Sequence, residues 1–300
     1  MPSFRSSKDK ATHAVAIKSG IQEKGVSGRH DHKGDGLTYS IGTERGYKES
    51  LTNFDRYLIE TRQGDIFSAT LEHGLQYLDV RSEYVTQKTL NRDREALQHH
   101  FGEKITSIRS ELQTILSSRA YSTEQVELVA RAQSARNSLS TEISHCCGVR
   151  AHELLTIRPT GEQSASSHRE WSQNRFEGRE GVIYTVAGKG GLVREVMLSS
   201  RLSELLEARR LAEPKTVRDR EIFYKQHYDI AGGQAWSQSF SSASQRALGW
   251  SNGGHGLRHS YSQERMDELQ GRGFSYKDAL KTVSQEMGHF RPEITEVYLR

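Results

Sequence analysis

Long apolar runs are missing from this sequence of 300 residues. A membrane-spanning helix needs about 20 consecutive apolar residues, and no stretch approaches that length. The first residues also lack the short apolar segment of a secretory signal peptide. We therefore expect a cytoplasmic chain that has no membrane partner.

Cysteine is nearly absent, since Cys146 and Cys147 are the only two. Neighbouring residues on a helix point about 100° apart, which disfavours a disulfide or a two-thiol zinc site between them. The pair indicates buried thiols in a reducing compartment. The sequence also lacks a Walker-type phosphate loop and clustered carboxylates. We expect neither a metal nor a cofactor.

Apolar residues are scarce as well, at 34% of the chain with a mean hydropathy of −0.73. A chain of this length suits two domains, each with a modest core and a large polar surface. The 42 basic and 38 acidic residues give a net charge of +4. That charge permits a polyanionic partner without requiring one.

The most informative stretch is the last fifth of the chain. It contains His255 and Arg258 as an H-x-x-R motif, then His289 after a glycine, then Tyr298. A guanidinium, two imidazoles and a phenol are groups that can bind a phosphodiester and attack it without a metal. Alone, the H-x-x-[KR] pattern is weak, because this composition produces it about twice by chance.

Two upstream stretches complete the pattern. Residues 148–155 read GVRAHELL, so that Arg150 is followed three positions later by Glu153. Residues 187–191 read AGKGG and place Lys189 in a glycine-rich turn between two β-favouring runs, which predicts a hairpin. Along the chain, the order of these residues is Arg150, Lys189, His255, Arg258, His289 and Tyr298.

That order resembles the signature of the tyrosine recombinase (phage integrase) family: Arg, Lys, H-x-x-R, His or Trp, and Tyr. The resemblance implies an α+β fold that is mainly α-helical with a small β-hairpin or sheet, in which a helical, SAM-like core-binding domain precedes the catalytic domain. It implies a metal-independent site-specific recombinase or integrase that cleaves and rejoins DNA through a 3′-phosphotyrosyl intermediate. The implied catalytic residues are Arg150, Lys189, His255, Arg258, His289 and the nucleophile Tyr298.

Each implied residue has a distinct task in that chemistry. The two arginines would neutralise the nonbridging phosphate oxygens, and His289 would add a hydrogen bond there. Tyr298 would attack phosphorus while His255 accepts its proton, and Lys189 would protonate the departing 5′-oxygen. The resemblance further implies that the chain acts as a homotetramer on two double-stranded DNA sites. It also implies that the chain is encoded by a bacterial mobile genetic element and acts on nucleoid-associated DNA.

The sequence divides into three predicted segments. Residues 1–36 are basic and polar without a sustained period, which predicts a flexible tail, either solvated or lying along DNA phosphates. Residues 37–118 are predicted to form the helical DNA-binding domain. Residues 119–300 would form the catalytic domain, which opens with a helix-capping box at residues 122–125.

Helical periodicity supports the predicted DNA-binding domain. Leu51, Phe54 and Leu58 recur at helical spacing and predict a buried stripe. A later helix starting near Thr86 would turn three cations outward. We expect these cations, Lys88, Arg92 and Arg94, to contact the DNA backbone.

Two features depart from the family pattern. His289 follows Arg258 by 31 positions, which is longer than usual, and residues 266–280 between them look like an extra helical segment. The sequence stops two residues after Tyr298, where relatives often carry a tail that docks on a neighbouring protomer. We therefore expect either that the assembly contacts lie elsewhere or that the sequence is a shortened product.

Three alternatives to a recombinase remain open. A type IB topoisomerase uses similar residues on DNA, but the bundle-like first domain and the short chain favour a recombinase. A catalytically silent DNA-binding relative is disfavoured by the complete set of six residues. The third alternative is a helical interaction protein with chance motif matches.

Overall fold

The computed structural model describes residues 6–21, 36–112, 117–188, 191–220 and 222–299. The chain separates into two compact units, Met1–Ile115 and Leu116–Arg300. Among these described residues, one hydrophobic core lies in the first unit and two lie in the second.

The first unit is a helical bundle. Its described helices are α1 Ser7–Ile17, α2 Ile41–Glu60, α3 Leu71–Ser82 and α4 Gln87–Phe101. Ser40 and Thr70 cap α2 and α3 by accepting backbone N–H bonds in the first turn. Leu51, Phe54 and Leu58 are buried, as their spacing predicts.

The predicted flexible tail of residues 1–36 is wrong for Ser7–Ile17, which is a helix packed into the first core. Ala11 and Val15 are fully buried in this helix. Lys10 pairs with Asp55 at 3.6 Å and with Asp65 at 3.1 Å. This short apolar stripe is easily missed, because the residues around it are polar and charged. Residues 1–5 and 22–35 lie outside the described part of the chain.

The second unit is an α+β structure, and the predicted fold class is confirmed. Its strands are β1 Arg158–Pro159, β2 Val182–Ala187, β3 Val193–Leu198, β4 Arg210–Asp219 and β5 Ile222–Tyr228. Strands β1–β3 form one antiparallel sheet, while β4 and β5 form a separate two-stranded ribbon. The predicted hairpin on either side of residues 187–191 is the pair β2 and β3.

The helices of the second unit surround its main core. The predicted capping box opens the first of them, because Ser122 and Gln125 exchange both cap bonds. The helices are α5 Thr123–Arg131, α6 Ala135–Cys147, α7 Ser200–Glu207, α8 Gly233–Leu248, α9 Gly256–Gly271, α10 Tyr276–Glu286 and α11 Pro292–Thr295, with 3-10 helices at Glu153–Thr156 and Glu296–Tyr298.

Gly148 is the turn that directs the chain into the functional region. It ends α6 in the left-handed conformation with φ of 57°, which favours glycine. A Cβ here would also lie 2.6 Å from the ring of Tyr261. Replacing this glycine would therefore displace the segment that begins at Arg150.

The structure also describes the two cysteines, the character of the helices and the grouping of side chains that could bind a metal. Cys146 and Cys147 are free thiols, and Cys147 is buried while Cys146 is half-buried. Among the described residues, no helix combines the length and apolar character needed to cross a membrane. The same residues contain no group of three or more His, Cys, Asp or Glu side chains placed to hold a metal ion.

Candidate active site

Five of the six sequence-predicted catalytic residues meet in the second unit. They come from the turn after α6, the start of α9, the turn after α10 and the 3-10 helix that follows α11. In that order they are Arg150, then His255 and Arg258, then His289, and Tyr298. Lys189 lies outside the described residues.

Arg150 is held by a buried carboxylate. Its Nη1 donates to Glu153 Oε1 at 2.6 Å, and its backbone N–H donates to Glu153 Oε2 at 2.8 Å. Arg194 Nη2 donates to the same Oε2 at 2.8 Å. Burial alone would raise the pKa of Glu153, but the charges of Arg194 and Arg150 outweigh it and hold that pKa well below its usual range. Glu153 therefore stays ionised and orients both guanidinium groups.

Arg258 is fully buried in the first turn of α9. Its Nη1 donates to the carbonyl of Gly148, and its Nη2 donates to the carbonyl of Met287 at 3.1 Å. Its Nε is buried without a hydrogen-bond partner among the described residues. Burial and the positive charge of Arg150 lower the pKa of Arg258 to about 10, so it remains charged at neutral pH.

His289 lies between the two arginines. Its Nε2 is 2.9 Å from Arg150 Nη2 and 3.4 Å from Arg258 Nη2. A guanidinium can only donate, so Nε2 is the acceptor and Nδ1 carries the proton. Nδ1 is 3.2 Å from Thr295 Oγ1, which it can reach as a donor. Burial and the charges of Arg258 and Arg150 lower the pKa of His289 to about 3, so the ring is neutral.

Tyr298 is 9% exposed and packs among imidazole rings. The distances from its ring centroid are 4.8 Å to His259, 5.4 Å to His255 and 5.6 Å to His289. The guanidinium carbon of Arg258 lies 5.5 Å from the same centroid. The phenol ring is therefore adjacent to Arg258 and to His289, which Arg150 also contacts.

His255 immediately precedes α9, and its ring is exposed. The surrounding protein, which partly excludes water, and the charge of Arg258 together lower its pKa to about 4. At neutral pH the ring is unprotonated. It can accept a proton from a neighbouring phenol.

His259 belongs to this cluster but is not among the residues that the sequence motif predicts. It is 5% exposed, and its ring centroid lies 5.9 Å from that of His255. The signal was present in the sequence, because residues four apart on a helix lie on one face. His255 immediately precedes α9, so a histidine four positions later lies on the same side of its first turn.

The end of the β2–β3 hairpin lies beside Arg150. Gly188 donates its N–H to the carbonyl of Leu192 at 2.7 Å. A Cβ on Gly188 would lie 3.1 Å from Glu153 Oε1 and 3.8 Å from Arg150 Nη1. The residue that precedes Lys189 is thus in contact with the charged pair of Arg150 and Glu153.

A second buried carboxylate supports the turn that carries His289. Glu286 accepts two bonds from Arg265, at 3.0 and 2.9 Å, and one from Tyr261 Oη at 2.8 Å. Its backbone carbonyl accepts a bond from Arg194. The long spacing before His289 thus corresponds to the rest of α9 and to α10, which share their own core.

The three predicted DNA-contacting cations lie on α4 of the first unit. Lys88 is exposed, whereas Arg92 and Arg94 are half-buried. Arg92 Nη1 pairs with Glu49 Oε2 at 3.2 Å, so its charge is partly balanced within the bundle. All three remain predicted contacts.

Comparison with known proteins gives a match at the level of three-dimensional structure. No family model matches the sequence, and no curated protein matches it. The XerH site-specific recombinase bound to palindromic difH substrate, a post-cleavage complex, superposes with a TM-score of 0.57 at 16% identity, covering 98% of this chain and 92% of that one. The pre-cleavage complex of XerH with difH substrate superposes with a TM-score of 0.57 at 16% identity, covering 100% of this chain and 94% of that one.

Proposed function

We propose that this chain, which has the fold of the tyrosine recombinases, is a site-specific DNA recombinase that acts through a 3′-phosphotyrosyl intermediate. The observation that carries the proposal is the convergence of Arg150, Arg258 and His289 beside Tyr298. XerH has been solved on its difH substrate before and after cleavage. By analogy, the substrate proposed here is double-stranded DNA.

The two arginines would bind the scissile phosphate. In the free chain both point an N–H donor at one acceptor, the neutral Nε2 of His289. A nonbridging phosphate oxygen is a stronger acceptor, because hydrogen bonds between ionised groups are the strong ones. Glu153 fixes one guanidinium and two backbone carbonyls fix the other. The donors are therefore preorganised for charge that develops in the transition state.

Cleavage would proceed by attack of Tyr298 Oη on phosphorus. The Oη–P bond forms, the bond from phosphorus to the 5′-oxygen breaks, and the 3′-phosphate is left on the tyrosine. His255 would take the phenolic proton, and Lys189 would give a proton to the leaving 5′-oxygen. Rejoining is the reverse attack by a 5′-hydroxyl, so the cycle needs no added energy source.

The wider assignments follow from the same proposal. Residues 37–118 would be the core-binding domain, whose Lys88, Arg92 and Arg94 contact the backbone, and residues 119–300 the catalytic domain. Four protomers would act on two duplexes of nucleoid DNA in the cytoplasm. The reaction would be the integration, excision or resolution of a mobile element.

A covalent adduct tests the chemistry directly. The full chain is incubated with nicked duplexes of randomised sequence, which trap the intermediate because the cleaved end diffuses away. Wild type should form adducts that survive detergent and disappear with protease, while Tyr298→Phe should bind DNA and form none. Tyr276→Phe is the control, since Tyr276 is 48% exposed on α10. A wild type without adducts, or an adduct with Tyr298→Phe, would contradict the proposal.

The DNA sequence recovered from those adducts allows a second assay, which distinguishes a recombinase from a type IB topoisomerase. Two copies of the recovered site are placed on one supercoiled plasmid. A recombinase should exchange the segments that flank the two sites. Relaxation of supercoils without exchange would favour the topoisomerase.

A further inference from the structure

The hydroxyl of Thr295 is buried directly behind the imidazole of His289. Thr295 is the last residue of α11, three positions before Tyr298, and it is fully buried. Its Oγ1 lies 3.2 Å from His289 Nδ1. Among the described residues, Oγ1 has no second hydrogen-bond partner. Whatever this hydroxyl does in the site, it does through the ring of His289.

The backbone of His289 is fixed independently of Thr295. Its N–H donates to the carbonyl of Ser284 at 2.7 Å, and its own carbonyl accepts the Ser284 hydroxyl at 3.0 Å. Ser284 is itself buried on α10. Because these two bonds hold the main chain, the contact with Thr295 bears on the ring and on the proton that the ring carries.

In the free chain, the hydrogen bonds around the ring leave one proton unpaired. Nε2 faces N–H donors of Arg150 and Arg258, so the ring proton is on Nδ1 and is donated to Thr295 Oγ1. The proton of the hydroxyl then has no acceptor among the described residues. An unpaired donor in a buried position is unfavourable, so an exchange of partners that pairs it would stabilise the site.

A phosphate held by the two arginines would allow that exchange. Its anionic oxygen is a stronger acceptor than Nε2 and would take the arginine N–H groups. Nε2 would then face an acceptor, which it can bind only if it carries a proton. The ring would take a proton from water at Nε2 and release the proton of Nδ1 to water, so its charge would not change. Nδ1 would become an acceptor for the hydroxyl of Thr295.

We propose that Thr295 is a positioning residue that holds His289 in two tautomers. Its hydroxyl accepts a hydrogen bond from Nδ1 in the free chain and donates one to Nδ1 when a phosphate occupies the site. A hydroxyl can rotate to do both, whereas a carboxylate only accepts. The inference rests on the proposed function in that it takes a DNA phosphate as the bound group. It adds which nitrogen of His289 carries the proton in each state.

Nitrogen NMR of the full chain tests the exchange of the ring proton. The histidines are isotope-labelled, and the signals of His289 are those that disappear in His289→Gln. Inorganic phosphate is the probe, added until the spectrum no longer changes. The free chain should have its proton on Nδ1, and the chain with phosphate should have it on Nε2. A proton that stays on Nδ1, or a ring protonated on both nitrogens, would overturn the proposal.

Variants at Thr295 test the hydroxyl in the reaction. Thr295→Val keeps the shape of the side chain but cannot pair with Nδ1. It should slow adduct formation at saturating DNA by about tenfold to a hundredfold, the scale for an unpaired buried polar group, with DNA affinity unchanged. Thr295→Ser keeps the hydroxyl and should retain most of the wild-type rate.

Thr52→Val is the matched control for loss of a buried hydroxyl. Thr52 lies on α2 of the first unit, is 9% exposed and donates to the carbonyl of Lys48 at 2.6 Å. This variant should form adducts at the wild-type rate. A packing role for the methyl group of Thr295 would give the opposite pattern, with Thr295→Ser impaired and Thr295→Val active, and that result would overturn the proposal.

Failure of this proposal is distinguishable from failure of the proposed function. Adducts that form equally fast in wild type and in Thr295→Val would reject only the role of Thr295. A wild type that forms no adducts, but in which phosphate moves the proton of His289 from Nδ1 to Nε2, would reject only the cleavage chemistry.

Discussion

Glu153 balances two guanidinium groups, one of which, Arg194, is almost fully buried. Removing its charge leaves Arg194 uncompensated in the interior. Glu153→Gln should therefore lower the free energy of unfolding by about 3–5 kcal/mol, as measured by urea denaturation at pH 7. Glu127→Gln, which breaks an exposed pair with Arg131, should change it by less than about 1 kcal/mol.

The pH dependence of the Glu153 effect has a definite sign. The folded-state pKa of Glu153 lies below its ordinary value of 4.5. Its contribution is therefore fully present above that ordinary value and is lost as the pH falls toward the folded-state pKa. The difference in stability between wild type and Glu153→Gln should shrink in acid. A constant difference from neutral to strongly acidic pH would contradict this account.

His259 is expected to position the nucleophile, since its ring is the nearest imidazole to Tyr298. His259→Ala should slow adduct formation at saturating DNA by about tenfold to a hundredfold, the scale for a misplaced reacting group, with DNA affinity unchanged. His259→Phe retains a ring of similar shape and should recover most of the rate. Equal loss in both variants would indicate that the imidazole itself takes part in proton transfer.

Among the elements, those with strong local signals were predictable. The capping box at residues 122–125 opens α5, and two β-favouring runs around the glycine-rich turn form β2 and β3. The ribbon was missed because a register shift between Arg210 and Lys215 interrupts its alternation. Charged residues also occupy much of its exposed face, so the segment reads as a loop until its partner strand is known.

Deletion of α1 tests the correction at the N-terminus. Loss of residues 1–17 removes Ala11 and Val15 from the first core and Lys10 from Asp55. The free energy of unfolding of the first unit should fall by about 2 kcal/mol or more, the scale for one buried aliphatic side chain. Deletion of residues 1–5 keeps the whole helix and serves as the control. Equal stability of both truncated chains would show that α1 does not support the core.

Lys189, which lies between β2 and β3 in the sequence, can be tested as a general acid. An alkoxide leaves poorly without a proton, whereas a thiolate does not need one. Lys189→Ala should be strongly impaired on ordinary DNA and largely restored when sulfur replaces the bridging 5′-oxygen. Tyr298→Phe should stay inactive on both substrates. If Lys189→Ala were equally impaired on both substrates, the general acid would have to be His255 or His289 instead.

At the scale of the whole molecule, residues far apart in sequence form one site. The order of Arg150, His255, Arg258, His289 and Tyr298 predicts a shared chemistry, and the structure brings these side chains close together. Their supports were not predictable, because the contacts of Arg194 and Glu286 form only when β3, α9 and α10 pack together. Those contacts have no local pattern, whereas the proposed reaction restricts which residue types can take part in it.

Because the two units have separate hydrophobic cores, a substitution in one core should destabilise only the unit that contains it. Phe54 and Phe240 are both fully buried, one in the core of the first unit and the other in the main core of the second. Phe54→Ala and Phe240→Ala should each cost about 3–5 kcal/mol. Hydrogen exchange of the full chain should then accelerate in residues 41–101 for Phe54→Ala and in residues 123–257 for Phe240→Ala. Faster exchange throughout the chain in either variant would show that the two units unfold as one, because a single cooperative transition exposes every amide together.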